Sequence, residues 1–200
     1  GQSLTPPGEY SEHGGLYMQP VLSSVLLRGL GALAGDPEIA SVVTDSREAG
    51  PGSLFVCIRG ERVDGHDYAL RALEAGAAGV VVQRPVPGVP PEKCVQVPDA
   101  LDAMIRLGAN YRALYSPLLA GVTGSVGKTT TKEFCYAVFS AFGKTLKTQG
   151  NQNNEIGMPN TLFRLDKSVE YAVVEMGMQG LGEIRKLTLA AKPAGAVITC

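Results

Sequence analysis

The sequence lacks an excess of either charge and lacks a long apolar run. Eighteen lysine and arginine residues stand against nineteen aspartate and glutamate residues, for a formal net charge of −1. A balanced chain does not attract nucleic acid through charge alone, so we expect no nucleic-acid partner. No apolar run approaches the roughly 20 residues of a membrane-spanning helix, so we expect no insertion into a membrane.

Cysteine is also scarce. Cys57, Cys94, Cys135 and Cys200 are scattered without the spacing of a metal site or a disulfide framework. The first 17 residues lack the basic-then-apolar pattern of a secretion signal, and we expect residues 1–17 to be an unstructured lead-in. Isolated thiols and the missing signal together predict a reducing, cytoplasmic location.

Composition and patterning predict a folded α/β protein with two domains. Hydrophobic residues make up 44% of the chain and charged residues 18%, as in globular proteins. Strand and helix patterns alternate, which predicts a small N-terminal α/β domain over residues 18–113 and a parallel-sheet domain over 114–200. The second domain ends on an apolar strand, and a parallel sheet needs cover on both faces. We therefore expect this domain to be truncated and the chain to be the front part of a longer protein.

Local patterns predict the order of the elements. In the first domain we expect a helix over 21–33, strands over 40–44, 54–58, 79–82 and 94–97, and helices over 67–75 and 99–113. In the second we expect a strand before residue 121, helices over 132–142, 159–165 and 181–191, and strands over 144–148, 171–177 and 196–199. The turn Gly50-Pro51-Gly52 predicts that the strands on either side of it lie close together.

The chemistry of the chain centres on residues 121–130, with the sequence G-V-T-G-S-V-G-K-T-T. An apolar strand precedes them and a helix follows, which is the context of a phosphate-binding loop. Glycines let backbone N–H groups converge on an anion, and the helix N-terminus adds unpaired donors and positive charge. The predicted nucleotide-binding residues are Gly124, Ser125, Val126, Gly127, Lys128, Thr129 and Thr130.

Val122 departs from the strict pattern G-x-x-x-x-G-K-[ST], which places glycine at that position. The alternative interpretation is a glycine-rich turn with a surface lysine. The coincidence of the strand, the Gly-Lys-Thr ending and the helix favours the phosphate loop, and with it a P-loop NTPase-like fold for the domain over 114–200.

Glu175 is the second candidate group, near the end of the predicted strand over 171–177. Burying an ionised carboxylate is unfavourable unless it is paired or binds a metal. A Mg²⁺ ion shared with Thr129 would provide that partner, while Lys128 reaches the β- and γ-phosphates. We predict Lys128 and Glu175 as catalytic residues and Thr129 and Glu175 as metal ligands. The alternative is a carboxylate at a solvent-exposed strand tip.

Three further groups have less specific patterns. The amide-rich loop over 150–157 is either a solvated turn or a ligand-facing loop at the carboxyl ends of the strands. Arg47 could bind a phosphate, although an exposed arginine beside turn-capping carboxylates is the simpler interpretation. His66 is expected to be a structural histidine with its hydrogen bonds satisfied.

Several of these motifs resemble those of the Mur ligase family. Residues 121–130 are similar to its ATP loop, G-x-T-G-[ST]-x-G-K-[ST]-[ST], including the threefold glycine spacing. T-D-S-R at 44–47 and G-E-R-V-D-G-H-D-Y at 60–68 resemble its first domain. N-x-N-N-E-I-G-x-P at 151–159 and E-M-G-M-x-x-x-G-E-I at 175–184 resemble the branch that joins D-alanyl-D-alanine to UDP-N-acetylmuramoyl-tripeptide.

The resemblance implies a monomeric, ATP- and Mg²⁺-dependent ligase of peptidoglycan synthesis, which activates the tripeptide carboxylate as an acyl phosphate and joins it to the dipeptide amine. A second metal site and a third domain would lie beyond Cys200, so the 200-residue chain alone is expected not to ligate. The alternatives are the branch that adds the third amino acid and a non-catalytic UDP-sugar or ATP-binding module. The implied substrate-binding residues are Ser46 and Arg47 for the UDP-sugar, and Asn153, Asn154 and Glu155 for the muramyl-peptide.

Overall fold

The computed structural model describes residues 17–178 and 180–200. The chain divides into two compact units between Leu107 and Gly108, inside the helix predicted over 99–113. The predicted lead-in up to residue 16 and Gln179 of the 175–184 motif lie outside the described residues. Tyr17, the last residue of that lead-in, begins a strand.

The first unit is an α/β unit built on one sheet. Its described strands follow the order β1-β2-β3-β4-β5, in which β1 is antiparallel to β2 and the other neighbours are parallel. The strands on either side of the Gly-Pro-Gly turn are therefore neighbours, as predicted. The elements are β1 (Tyr17–Leu22), α1 (Ser23–Leu26), β2 (Glu38–Val43), β3 (Ser53–Val56), α2 (Ala69–Glu74), β4 (Gly79–Val82) and β5 (Cys94–Gln96), with 3₁₀ turns over Gly65–Tyr68 and Pro91–Lys93. Helix α3 (Ala100–Arg112) begins in this unit and ends in the second.

The predicted helix over 21–33 is wrong. The stretch begins as the edge strand β1, and only the four residues of α1 are helical. Gly29 adopts a φ of +78°, which a continuing right-handed helix does not allow. The Asp36 carboxylate accepts hydrogen bonds from the Ser23 hydroxyl at 2.9 Å and the Ser24 amide at 2.6 Å, and these bonds hold the turn that returns the chain to β2.

The second unit carries a parallel sheet. Its described strands follow the order β7-β8-β6-β9, all parallel, so β6 lies between β8 and β9. The carboxyl ends of parallel strands lie at one edge of a sheet, which is where ligands bind in open α/β sheets. The elements are β6 (Leu118–Gly124), α4 (Lys128–Ser140), β7 (Thr145–Lys147), α5 (Gly157–Leu162), β8 (Tyr171–Glu175), α6 (Glu183–Ala191) and β9 (Gly195–Thr199).

Helix α4 starts earlier than predicted and leaves an apolar stripe exposed. It begins at Lys128, four residues before the predicted start. The stripe consists of Phe134 and Val138 in the helix and Phe142 just beyond its end, with exposed fractions of 70%, 57% and 73%. The buried side of the helix instead carries Lys132, which is 1% exposed. The predicted helices over 159–165 and 181–191 are also shifted, since α5 begins at Gly157 and α6 at Glu183.

Two features of the described chain bear on its chemistry. All four cysteines lie in this part of the chain and are free thiols. Over residues 17–178 and 180–200, no helix combines the length and apolar character that a bilayer crossing requires.

Candidate nucleotide and metal site

Glycine is required at two positions of the loop between β6 and α4. Gly127, immediately before the helix, has a φ of +81°, and Gly124 has a φ of +138°. A Cβ atom at Gly124 would also lie 1.9 Å from the carbonyl oxygen of Thr199 in β9. Val122, where the strict motif has glycine, lies fully buried within β6. The chain therefore turns after Gly124, and valine at 122 fits its strand position.

The N-terminus of α4 faces this turn. Lys128, Thr129 and Thr130 are its first three residues, and the first N–H groups of a helix have no partner within it. Together with the helix dipole these groups favour a bound anion. The Lys128 ammonium donates to the carbonyl of Gly124 at 2.8 Å, across the turn. The Ser125 N–H, by contrast, donates to Thr199 at 3.0 Å.

Strand register places Glu175 beside this turn. Its Cα pairs with that of Val122 across β8 and β6, so both strands reach the same edge. The carboxylate is 1% exposed, and each of its oxygens has a donor nearby. Oε1 accepts from the Asn153 amide at 2.8 Å, and Oε2 lies 3.4 Å from the Thr129 hydroxyl, which donates to it. The ammonium of Lys132, a residue that the sequence did not single out, lies 3.5 Å from Oε2.

The spacing of Thr129 and Glu175 fits a shared Mg²⁺ ion. Their oxygens are 3.4 Å apart, and neighbouring ligands in an octahedral Mg²⁺ shell are separated by about 3 Å. Within the described residues, no three histidine, cysteine, aspartate or glutamate side chains cluster as a metal site would. Mg²⁺ does not require such a cluster, because it usually binds one or two protein ligands together with phosphates and water.

Residues from separate segments line one cavity of about 230 Å³ at this edge of the sheet. The phosphate loop contributes two residues and the amide-rich loop contributes three that the sequence predicted. The remaining residues belong to the 175–184 motif. Only Glu175 of that motif was predicted as a site residue, although its Gly182-Glu183 pair is a conspicuous part of the sequence. The lining residues are Gly124, Lys128, Asn153, Asn154, Glu155, Gly177, Met178 and Glu183.

The two asparagines of the amide-rich loop make different contacts. Asn153 holds Glu175 through its side chain, and its carbonyl accepts from Gly177 N at 2.7 Å. The Asn154 side chain accepts from the amides of Ile156 at 3.1 Å and Gly157, the first residue of α5, at 2.8 Å. The loop is thus tied both to the candidate metal ligand and to the next helix.

Ser46 and Arg47 lie in the first unit, in the turn after β2. The Arg47 side chain is 80% exposed, and its guanidinium donates to both Asp45 oxygens at 3.0 Å through Nε. These hydrogen bonds hold the pKa of Asp45 below its ordinary value and raise the pKa of Arg47. Arg47 therefore has a carboxylate partner two residues away.

His66 has a structural role in the first unit. Its ring is 3% exposed, Nδ1 lies 2.6 Å from Asp64 Oδ1, and Nε2 accepts from the Gln83 N–H at 2.8 Å. Because Nε2 accepts, Nδ1 carries the proton and donates to Asp64. Hydrogen bonds from the His66 backbone N–H and then its ring hold the pKa of Asp64 well below its ordinary value. Both ring nitrogens are thereby engaged in holding chain segments together.

Two family models match the chain. The catalytic-domain model of the Mur ligase family matches residues 38–112, and the Mur ligase middle-domain model matches residues 122–200. The chain belongs to the Mur ligase family. The first matched region includes Ser46 and Arg47, and the second includes the phosphate loop and Glu175.

Individual relatives agree with this assignment. The chain is 46% identical to the UDP-N-acetylmuramoyl-tripeptide--D-alanyl-D-alanine ligase of Synechocystis, over 84% of this chain and 37% of the relative. It is 33% identical in sequence to MurF from Acinetobacter baumannii. The crystal structure of that protein matches with a TM-score of 0.81, over 92% of this chain and 41% of that chain. For MurF from Thermotoga maritima in complex with ADP, the identity is 34% and the TM-score 0.71, over 78% of this chain and 37% of that chain.

The chain therefore spans less than half the length of these Mur ligase relatives. The likeness to the solved structures extends over both units, and the α/β class predicted from the sequence is confirmed.

Proposed function

We propose that the protein carrying this chain is an ATP-dependent amide ligase that joins D-alanyl-D-alanine to UDP-N-acetylmuramoyl-tripeptide in peptidoglycan precursor synthesis. The observation that carries the proposal is the pairing of Glu175 with Thr129 at 3.4 Å, beside the turn that Lys128 spans. The name of the Synechocystis relative supports this reaction. Since the chain spans 37% of that relative, the proposal concerns the intact protein.

ATP is the nucleotide proposed for the turn over 124–130. On binding, the Lys128 ammonium would exchange the Gly124 carbonyl for the β- and γ-phosphates, and the first N–H groups of α4 would hold phosphate oxygens. The bound ADP of the Thermotoga maritima relative supports this assignment. Thr129 and Glu175 would hold Mg²⁺, which neutralises developing phosphate charge during phosphoryl transfer. Positioning and charge neutralisation are thus the catalytic contributions of these residues.

Substrate contacts are proposed for both units. Asn153, Asn154 and Glu155 would face the muramyl-peptide; two of them are partly committed to Glu175 and α5. In the first unit, Ser46 and Arg47 would contact the UDP-sugar, and Arg47 would have to release Asp45 to bind a phosphate. We also propose a monomeric, cytoplasmic protein, consistent with its four free thiols.

The test is a ligation assay on the intact protein with ATP, Mg²⁺, UDP-N-acetylmuramoyl-tripeptide and D-alanyl-D-alanine. We expect ADP release that depends on the dipeptide, and a nucleotide product heavier by one dipeptide residue in mass spectrometry. Lys128→Ala serves as the inactive control. A folded protein that binds ATP yet shows no dipeptide-dependent ADP release would refute the proposal.

Two further arms separate the other candidates. Turnover with diaminopimelate and the shorter UDP-N-acetylmuramoyl-dipeptide would indicate the branch that adds the third amino acid. ATP binding without turnover on either acceptor would indicate a non-catalytic module.

A further inference from the structure

Lys132 is a buried lysine beside the candidate metal ligand. Its side chain is 1% exposed, and its ammonium donates to the Gly150 carbonyl at 3.0 Å and lies 3.5 Å from Glu175 Oε2. Lysine is almost never fully buried unless it is paired, because removing its charge from water is costly. The position of this cation therefore depends on the oxygens that it faces.

The helix phase brings Lys132 to this position. It follows Lys128 by four residues and Thr129 by three, so all three side chains share one face of α4. Lys128 spans the phosphate turn and Thr129 contacts Glu175, while Lys132 contacts Glu175 from one turn further along the helix. The same helix face thus carries the phosphate, metal and carboxylate contacts.

The Gly150 contact connects Lys132 to the amide-rich loop. Gly150 begins this loop, and Asn153, three residues later, donates to Glu175 Oε1. Lys132 therefore faces Oε2 directly and is hydrogen-bonded to the first residue of the loop that carries Asn153, the donor to Oε1.

A second acidic neighbour of Lys132 is the less important partner. Glu133 Oε1 lies 3.6 Å from the ammonium, but the Glu133 side chain is 47% exposed and also pairs with Lys147. Exposed ion pairs contribute little because water and salt screen them. The buried carboxylate of Glu175 and the hydrogen bond to the Gly150 carbonyl account for the placement of Lys132.

We propose that Lys132 is a positioning residue for the metal site, whose buried ammonium fixes the Glu175 carboxylate against the Thr129 hydroxyl and ties it to the loop beginning at Gly150. The proposal rests on the proposed function, since it takes ATP and Mg²⁺ as the ligands. Mg²⁺ demands near-ideal octahedral geometry, so it tolerates little misplacement of a carboxylate. Groups that orient metal ligands typically contribute 10- to 100-fold in metal affinity or activity, roughly the size expected here.

The test compares ATP affinity with and without Mg²⁺ in the intact protein by titration calorimetry. The variants are Lys132→Gln, Glu175→Gln and the double substitution. We expect Lys132→Gln to leave the affinity in EDTA unchanged and to reduce the gain in affinity on adding Mg²⁺ by about 10- to 100-fold. The double variant should lose no more of this gain than Glu175→Gln alone, because both residues act on one contact.

Control variants separate positioning from folding. Lys167→Met removes an exposed lysine from the same unit and should leave both affinities unchanged. Lys132→Met, which keeps the buried aliphatic stem, is a second route to the same loss. Thermal unfolding and ATP binding in EDTA report whether each variant is folded.

Several results of the titration would overturn the role proposed for Lys132. An unchanged Mg²⁺ gain in a folded Lys132 variant overturns the proposal, as does equal loss of binding with and without Mg²⁺, or failure of both Lys132 variants to fold. An absence of any Mg²⁺ gain in the unmodified protein also overturns it. The ATP titration does not measure ligation. Failed dipeptide ligation together with intact Mg²⁺-dependent ATP binding would therefore refute the proposed function and leave the role of Lys132 standing.

Discussion

Replacing His66 with phenylalanine should strongly destabilise the first unit. Phenylalanine keeps a flat ring in the buried site and removes both ring nitrogens. Asp64 would lose the partner at 2.6 Å, and the Gln83 N–H would lose the acceptor at 2.8 Å. The substitution therefore isolates the hydrogen bonds of the ring from its packing.

The structure sets the size of the effect. A hydrogen bond to a charged group contributes about 1.5–3 kcal/mol, and a buried donor without an acceptor costs about 1–3 kcal/mol. The two contributions from His66 together predict a loss of about 3–5 kcal/mol. Domains of this size are typically stable by about 5–15 kcal/mol, so the first unit would lose a large part of its stability. Each kcal/mol lowers the midpoint of a 60–100-residue domain by about 4–8 °C, so a decrease of at least about 12 °C is expected.

Native-state hydrogen exchange at amides of β4 measures this loss within the first unit, without assuming that both units unfold together. Asp67→Asn is the matched control, since Asp67 is a neighbouring side chain that is 68% exposed. It should change stability by no more than about 0.5 kcal/mol. A change below about 1 kcal/mol in His66→Phe would show that the ring nitrogens contribute no more than an average hydrogen bond, and would refute the reasoning.

Three further predictions concern single groups. The pKa of Asp64 is held below its ordinary value of 3.8, so the stabilisation from its carboxylate is complete above that value and is lost as the pH falls below it. Urea unfolding between about pH 5 and pH 2 should show this loss of stability, and Asp64→Asn should reduce the dependence of stability on pH. Lys128→Ala should weaken ATP binding by about 10- to 100-fold in calorimetry because charge-assisted hydrogen bonds are lost, and an unchanged affinity would contradict the phosphate-loop assignment. Tyr111→Phe removes the buried hydroxyl that donates to the Leu165 carbonyl at 3.0 Å. The free energy of unfolding in urea should fall by about 1–2 kcal/mol, and an unchanged value would show that the carbonyl finds another donor.

Features determined by neighbouring residues could be predicted from the sequence. β4 over 79–82 has the predicted bounds. The helix predicted from residue 99 begins one residue later, as α3, and the Asp99 carboxylate accepts from the Asp102 amide at 2.8 Å. The phosphate turn is equally local, because glycines that allow a positive φ and the helix start that follows them are adjacent in the chain.

Features that depend on distant residues could not be predicted. Asn153 and Glu175 are 22 residues apart, and their contact requires both the register of β8 and the path of the amide-rich loop. The predicted helix over 21–33 included the last two residues of β1, which pair with β2, because apolar composition alone does not distinguish the two structures. Residue types were enough to predict Thr129 and Glu175 as site residues. The sheet register was needed to show that the Thr129 hydroxyl and Glu175 Oε2 lie 3.4 Å apart.

Helix α4 shows why an apolar pattern can mislead near a functional site. Its rotation about its axis is fixed at the first turn, where Lys128 and Thr129 must face the edge of the sheet. At about 100° per residue, Lys132 then returns to that face, while Phe134 and Val138 fall well to the side of it. A hydrophobic stripe normally decides which face of a helix is buried. Within the described part of the chain, α4 follows the contacts of the phosphate turn and Glu175, burying a lysine and leaving two apolar side chains exposed.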